Sequence, residues 1–126
     1  MVVRIKLIFK EMRSDERENM GGMRESDIVR QILEYMRWIG AYAGKTKTQG
    51  TFDSKRQVYR RDPYTFVGFP DLAFFYKNTF GFIEVKSAKG VQSDFQKEFQ
   101  KLCILAHVPY VLARNVEDVQ RVMEAL

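Results

Sequence analysis

Two short apolar runs, Leu72-Ala73-Phe74-Phe75-Tyr76 and Gly81-Phe82-Ile83-Glu84-Val85-Lys86, are separated only by Lys77-Asn78-Thr79-Phe80. Both are rich in aromatic and β-branched residues, and the spacing predicts an antiparallel hairpin. Residues two apart on a strand share a face, so Glu84 and Lys86 project together while Ile83 and Val85 turn into a core. Directly opposite residues also share a face. A loop with an even number of residues therefore puts Asp71 on the face of Glu84 and Lys86. A two-residue loop at Asn78-Thr79 would set Asp71 directly opposite Lys86.

The hairpin thus gathers two carboxylates and an ammonium. Carboxylates that close repel one another unless a cation or a proton lies between them. Hard oxygen ligands in an open site suit Mg2+ or Mn2+, which keep several waters and take one or two carboxylates. The main-chain carbonyl of Val85 offers a further oxygen. A lysine beside such a metal can hold the attacking water and stabilise a phosphorane-like transition state. A lone E-x-K is common on exposed strands and means little by itself. Here it follows Gly68-Phe69-Pro70-Asp71 at hairpin distance.

Gly68-x-Pro70-Asp71 followed by Glu84-x-Lys86 resembles the active-site signature of the PD-(D/E)XK nuclease superfamily. More narrowly, it is similar to the VRR-NUC domains, the virus-type replication and repair nucleases, over residues 23–126. Those domains occur alone in phages and as the catalytic end of a Fanconi-associated repair nuclease. The resemblance implies an α/β fold, a restriction-endonuclease-like core with a central mixed sheet flanked by helices in the order α-β-β-β-α-β-α. It implies a Mg2+- or Mn2+-dependent endonuclease that hydrolyses phosphodiester bonds in branched DNA, such as four-way junctions or flaps, and acts as a homodimer. The alternatives are a restriction-type or general DNase of the same superfamily, a DNA-binding module without catalysis, and a small basic scaffold protein.

Length and composition agree with one domain and a single core, since 126 residues at 45% hydrophobic content is a globular composition. A net charge of +5 favours a polyanionic partner. One cysteine, Cys103, excludes an internal disulfide and a cysteine zinc site, and one histidine, His107, excludes chemistry that needs a histidine pair within the chain. No apolar run approaches a membrane span. The opening run from Val2 to Phe9 is short and broken by Arg4 and Lys6, so no secretory signal is expected and the protein is expected in the cytoplasm.

Residues 1–22 read as an extension: an alternating Val3, Ile5, Leu7, Phe9 strand pattern, then a charged linker ending in Gly21-Gly22. From Met23 the pattern is helical, with Ile28, Ile32, Tyr35, Met36 and Ile39 as the apolar stripe and Gly40 as the stop. Glu25 extends that stripe backwards. It is either a third acidic residue aimed at the metal, as the resemblance implies, or a first-turn glutamate favoured by the helix dipole.

Residues 41–67 are the least regular, with a strand beginning near Ala41. Lys45, Lys47, Lys55, Arg56, Arg60 and Arg61 are interleaved with Phe52, Tyr59, Tyr64 and Phe66. Basic groups neutralise phosphates and aromatic rings stack on frayed bases, so this stretch is either a DNA contact surface or a solvated loop. The resemblance implies Lys45, on the strand after the first helix, as the leading contact.

After a turn at Ser87-Ala88-Lys89-Gly90, a helix from Ser93 would bury Phe95, Phe99, Leu102, Cys103 and Ala106. Ser93-x-x-Gln96 fits a capping box. The resemblance instead sends Gln96 back to the site, to orient a water or Lys86, and both roles coexist only if the side chain is shared. Lys97 is a candidate phosphate contact on the same helix. At His107 the family tends to have glycine. Val108–Ala113 is a strand that Pro109 marks as an edge or a start. Asn115 caps a last helix that turns Val116, Val119, Met123 and Leu126 inward.

Overall fold

The computed structural model of the protein describes residues 22–46, 51–60 and 63–126. The extension at residues 1–21 and the candidate contacts Lys47 and Arg61 lie outside the described residues. Among the described residues the fold is α/β: a four-stranded mixed sheet in the order Tyr42–Lys45 (β1), Leu72–Tyr76 (β4), Thr79–Val85 (β5) and Tyr110–Ala113 (β6), a separate two-stranded hairpin of Thr51–Asp53 (β2) and Val58–Arg60 (β3), and three helices.

Helix α1, Glu25–Trp38, buries Ile28, Ile32, Tyr35 and Met36, the stripe expected from a 3.6-residue period. It ends at Ile39, and Gly40 follows with φ +82, a left-handed conformation that glycine adopts without strain. Strand β1, Tyr42–Lys45, comes next. The stretch expected to be irregular forms β2, Thr51–Asp53, and β3, Val58–Arg60, paired antiparallel. Gln57 takes a positive φ of 56 in the turn between them.

Strands β4, Leu72–Tyr76, and β5, Thr79–Val85, form the expected hairpin. The loop is Lys77-Asn78, with Tyr76 paired to Thr79. Both loop residues have positive φ, 48 and 61, as a type I′ turn requires. This is one position earlier than the Asn78-Thr79 loop expected from the sequence. The register therefore moves by two residues and sets Asp71 opposite Glu84, not Lys86. Leu72 pairs with Ile83, which fixes that count. Gly81 faces Phe74, whose ring would lie 2.6 Å from an added Cβ, so the bulky side chain needs the glycine across from it.

Helix α2, Asp94–Leu105, returns the chain to β6, Tyr110–Ala113, which runs parallel to β5 at the sheet edge. Pro109 precedes this edge strand and its carbonyl accepts from Phe82 N–H at 2.9 Å. Helix α3, Val116–Glu124, is capped by Asn115, whose side chain accepts from Asp118 N–H. With β2-β3 set aside, the order is α-β-β-β-α-β-α.

Strand alternation gives the sheet two unlike faces. Leu72, Phe74, Ile83, Val85, Val111 and Ala113 pack under α1 and α3 and make the core. Burying each such large side chain stabilises the fold by about 1.5–3 kcal/mol. The other face carries Phe82, Glu84 and Tyr110, over which α2 lies through Phe99. Helix α2 covers that face only partly. Cys103 is buried, but Phe95 and Leu102 are 65% and 61% exposed and Ala106 is exposed, against the expected buried stripe. Leu126, expected inward, is exposed too, because α3 ends before it.

Candidate active site

The end of β5 brings Asp71, Glu84 and Lys86 to one face of the sheet. Asp71 Oδ2 accepts from Val85 N–H at 2.9 Å, so the aspartate side chain takes the place of a ladder bond where β4 has not yet begun. In a strand a residue's N–H and C=O point the same way, so the Val85 carbonyl is also directed toward the Asp71 side. The backbone of Asp71 is held in turn by β1, since its carbonyl accepts from Thr46 N–H at 2.9 Å. Thr46 Oγ1 donates to the carbonyl of Pro70.

Glu84 is almost wholly buried, with 1% of its surface exposed. Its Oε1 accepts from Gln96 Nε2 at 2.9 Å and lies 3.4 Å from Lys86 Nζ. Its Oε2 is buried with no hydrogen-bond partner. Burial, and then the neighbouring Asp71 carboxylate, push the Glu84 carboxyl up to about 7, against the opposing pull of Lys86. A proton or a cation placed between the two carboxylates relieves their repulsion.

Gln96 forms the capping box and also reaches back to the site, where its partner is Glu84 rather than the water or Lys86 that the resemblance implied. Its Oε1 accepts from Ser93 N–H at 2.9 Å while Ser93 Oγ accepts from Gln96 N–H at 3.2 Å, a complete capping box. Its Nε2 is left for Glu84. A donor on one side and an acceptor on the other fix which way the amide faces.

Two further residues hold this arrangement: Gly68, the first residue of the motif, and Arg114, which no motif includes. Gly68 has φ +71, and a Cβ there would lie 2.4 Å from the backbone carbonyl of Phe95 and 2.7 Å from Gln96 N. Only glycine lets the loop before Asp71 press against the first turn of α2. Arg114, after β6, donates through one guanidinium nitrogen to the carbonyls of Ser87 at 2.6 Å and Gly90 at 2.8 Å, clamping the turn that follows Lys86. A positive-φ requirement at Gly68 follows from no local pattern, and a single arginine after a strand carries no sequence signal.

The remaining expected residues lie elsewhere. Glu25 is exposed at the first position of α1, not buried on its stripe. It stands one turn before Ile28, where the core ends and the helix dipole favours a solvated carboxylate. Among the described residues, no group of three or more His, Cys, Asp or Glu is arranged to hold a metal. Lys45 is exposed and pairs with Leu72, so strand alternation assigns it to the sheet face opposite Asp71. Lys55 and Arg56 are exposed in the β2-β3 turn, Arg60 lies in β3, and Lys97 is exposed in the first turn of α2.

Comparison of the chain with family models, with curated proteins and with solved structures gave no match.

Proposed function

We propose that this protein is a metal-dependent endonuclease that hydrolyses phosphodiester bonds in DNA, with Asp71, Glu84 and Lys86 as its catalytic centre. One observation carries the reading: Glu84 is buried with an unpartnered oxygen, directly opposite Asp71 and flanked by Lys86 and Gln96. A fold that only needed to cover this face would place an apolar residue there, because leaving one buried carboxylate oxygen unpaired costs on the order of 1–3 kcal/mol. Strained electrostatics of this kind cluster at functional sites.

The donor set fits Mg2+ or Mn2+. Two carboxylates with one orphaned oxygen, and a main-chain carbonyl directed to the same side, match a hard cation that completes its shell with water. Asp71, Glu84 and the Val85 carbonyl would hold it. When bound, such a cation polarises the phosphate and lowers the pKa of a bound water. Lys86 places an ammonium where charge develops on the attacked phosphate. Gln96 keeps the Glu84 carboxylate in position and ties it to α2. Glu25 has no part in this set as it stands in the fold.

The superfamily reading, PD-(D/E)XK and within it VRR-NUC, rests on the motif spacing together with the α-β-β-β-α-β-α order. It carries with it branched DNA as substrate and a homodimer that makes paired cuts. A DNA-binding module without catalysis is the second reading, favoured by the missing third carboxylate among the described residues. Incubating labelled linear, flapped and four-way DNA with the protein in Mg2+, Mn2+ or EDTA separates the two. Divalent-dependent cuts, strongest on branched substrates, are expected. Binding without cuts in either metal overturns the enzyme reading. Light scattering with and without junction DNA tests the dimer, which a monomer in both conditions rules out.

A further inference from the structure

The sheet face that carries Asp71 and Glu84 stays open beyond α2, and its floor has a distinctive composition. Tyr42 pairs with Phe75, and Phe75 pairs with Phe80, so three adjacent strands set three aromatic side chains in a row on that face. They are 80%, 58% and 39% exposed, and the Phe75 and Phe80 ring centroids are 4.8 Å apart. An open depression of about 470 Å3 lies against them, and no acidic residue lines it. Between this row and Asp71, β1 and β4 carry only small residues on this face, bounded on β5 by Phe82 beneath Phe69 and Phe99. Gly44 pairs with Ala73, and a Cβ on Gly44 would meet nothing within 4 Å. Phe75 and Asp71 are four residues apart on one strand face, about 14 Å.

We propose that this lane binds an unpaired strand of nucleic acid, its bases stacked on Tyr42 and Phe75, and leads it to the Asp71–Glu84 centre. Exposed rings on a sheet are a sequence-tolerant stacking platform, because every base has a π face. The separation of the rings from Asp71 leaves room for a strand stacked on them to continue to Asp71. The occupant is a polyanion because the chain carries +5 and the depression against the rings is lined by Lys77 and by no carboxylate. A second copy of this chain is the competing occupant. An apolar partner surface gains nothing from the small residues Gly44 and Ala73, whereas a strand running to the site needs them.

The direction of the lane rests on the nuclease reading, but the binding does not, so the test is run in EDTA. Anisotropy of a fluorescein-labelled dT oligonucleotide is compared with that of a blunt duplex of equal length, using wild type, Phe75→Leu and Gly44→Val. Leucine keeps an apolar group at an exposed position but removes the flat ring. Valine at Gly44 has room and raises a barrier on the floor. The expected result is tighter binding of the single strand by wild type. Phe75→Leu should lose roughly 5- to 150-fold of that affinity, the range for one lost base stack, with an unchanged salt slope. Gly44→Val should weaken it as well. Equal binding of strand and duplex by wild type, or wild-type affinity in Phe75→Leu, overturns the proposal. So does light scattering in which wild type is a dimer that Phe75→Leu dissociates, since the face then belongs to a second copy. Lost cleavage with this binding intact would remove the nuclease reading alone.

Discussion

Glu84→Gln should stabilise the metal-free protein at pH 8 while removing its response to divalent cations. Glutamine keeps the shape of Glu84 and the acceptor for Gln96, and its amide can donate toward Asp71 where the carboxylate has nothing to give. The magnitude comes from the raised carboxyl. A rise from 4.5 to about 7 means the folded state holds the proton more tightly than the unfolded chain, by roughly 3 kcal/mol. The stability this contributes is complete below about pH 4.5 and is lost as pH rises through about 7. Wild type and variant should therefore match near pH 4, and the variant should gain on the order of 1–3 kcal/mol by pH 8. Urea unfolding in EDTA, followed through the single tryptophan, Trp38, at several pH values reads the difference. Saturating Mn2+ should then raise the wild-type midpoint and leave that of the variant nearly unmoved. A variant less stable than wild type at pH 8, or a difference that does not change with pH, would refute the electrostatic account of the site.

Gly68→Ala should cost about 2–4 kcal/mol, combining left-handed strain with a clash against the α2 backbone, and chemical denaturation measures it. The variant should also lose metal-dependent cleavage at temperatures where it remains folded, because α2 carries Gln96. His107→Gly should add about 0.5–1 kcal/mol, since His107 sits at φ 57 just past the end of α2, and a shift in the thermal midpoint checks it.

Much of the site was legible because it depends on the two-residue alternation of a strand. Any even hairpin loop puts Asp71, Glu84 and Lys86 on one face, and the observed Lys77-Asn78 loop is even. Which pair of residues formed it was not legible. Asn78 signals a left-handed turn position, but nothing in a lysine announces that Lys77 would supply the other. Glu25 was misplaced because periodicity extends a stripe past the end of the core it faces. The stripe of α2 was overread for the converse reason. The helix pattern names apolar positions, but the partly covered sheet face decides how many it buries, so Phe95 and Leu102 stay exposed. Gln96 could not be assigned from sequence because its two amide ends act separately. The close approach at Gly68 and the Arg114 clamp are contacts between segments far apart in the chain, which local patterns do not encode.

The central claim, that Lys86 and the two carboxylates form a hydrolytic centre, is tested most directly by single-turnover cleavage with Lys86→Ala at saturating protein and metal. Removing the ammonium beside Glu84 leaves Asp71 and Glu84 to bind a cation, and DNA affinity should fall by no more than one phosphate contact. The account predicts a loss of about a hundredfold or more in the cleavage rate, with divalent binding retained. Cleavage by Lys86→Ala at a near wild-type rate would contradict it.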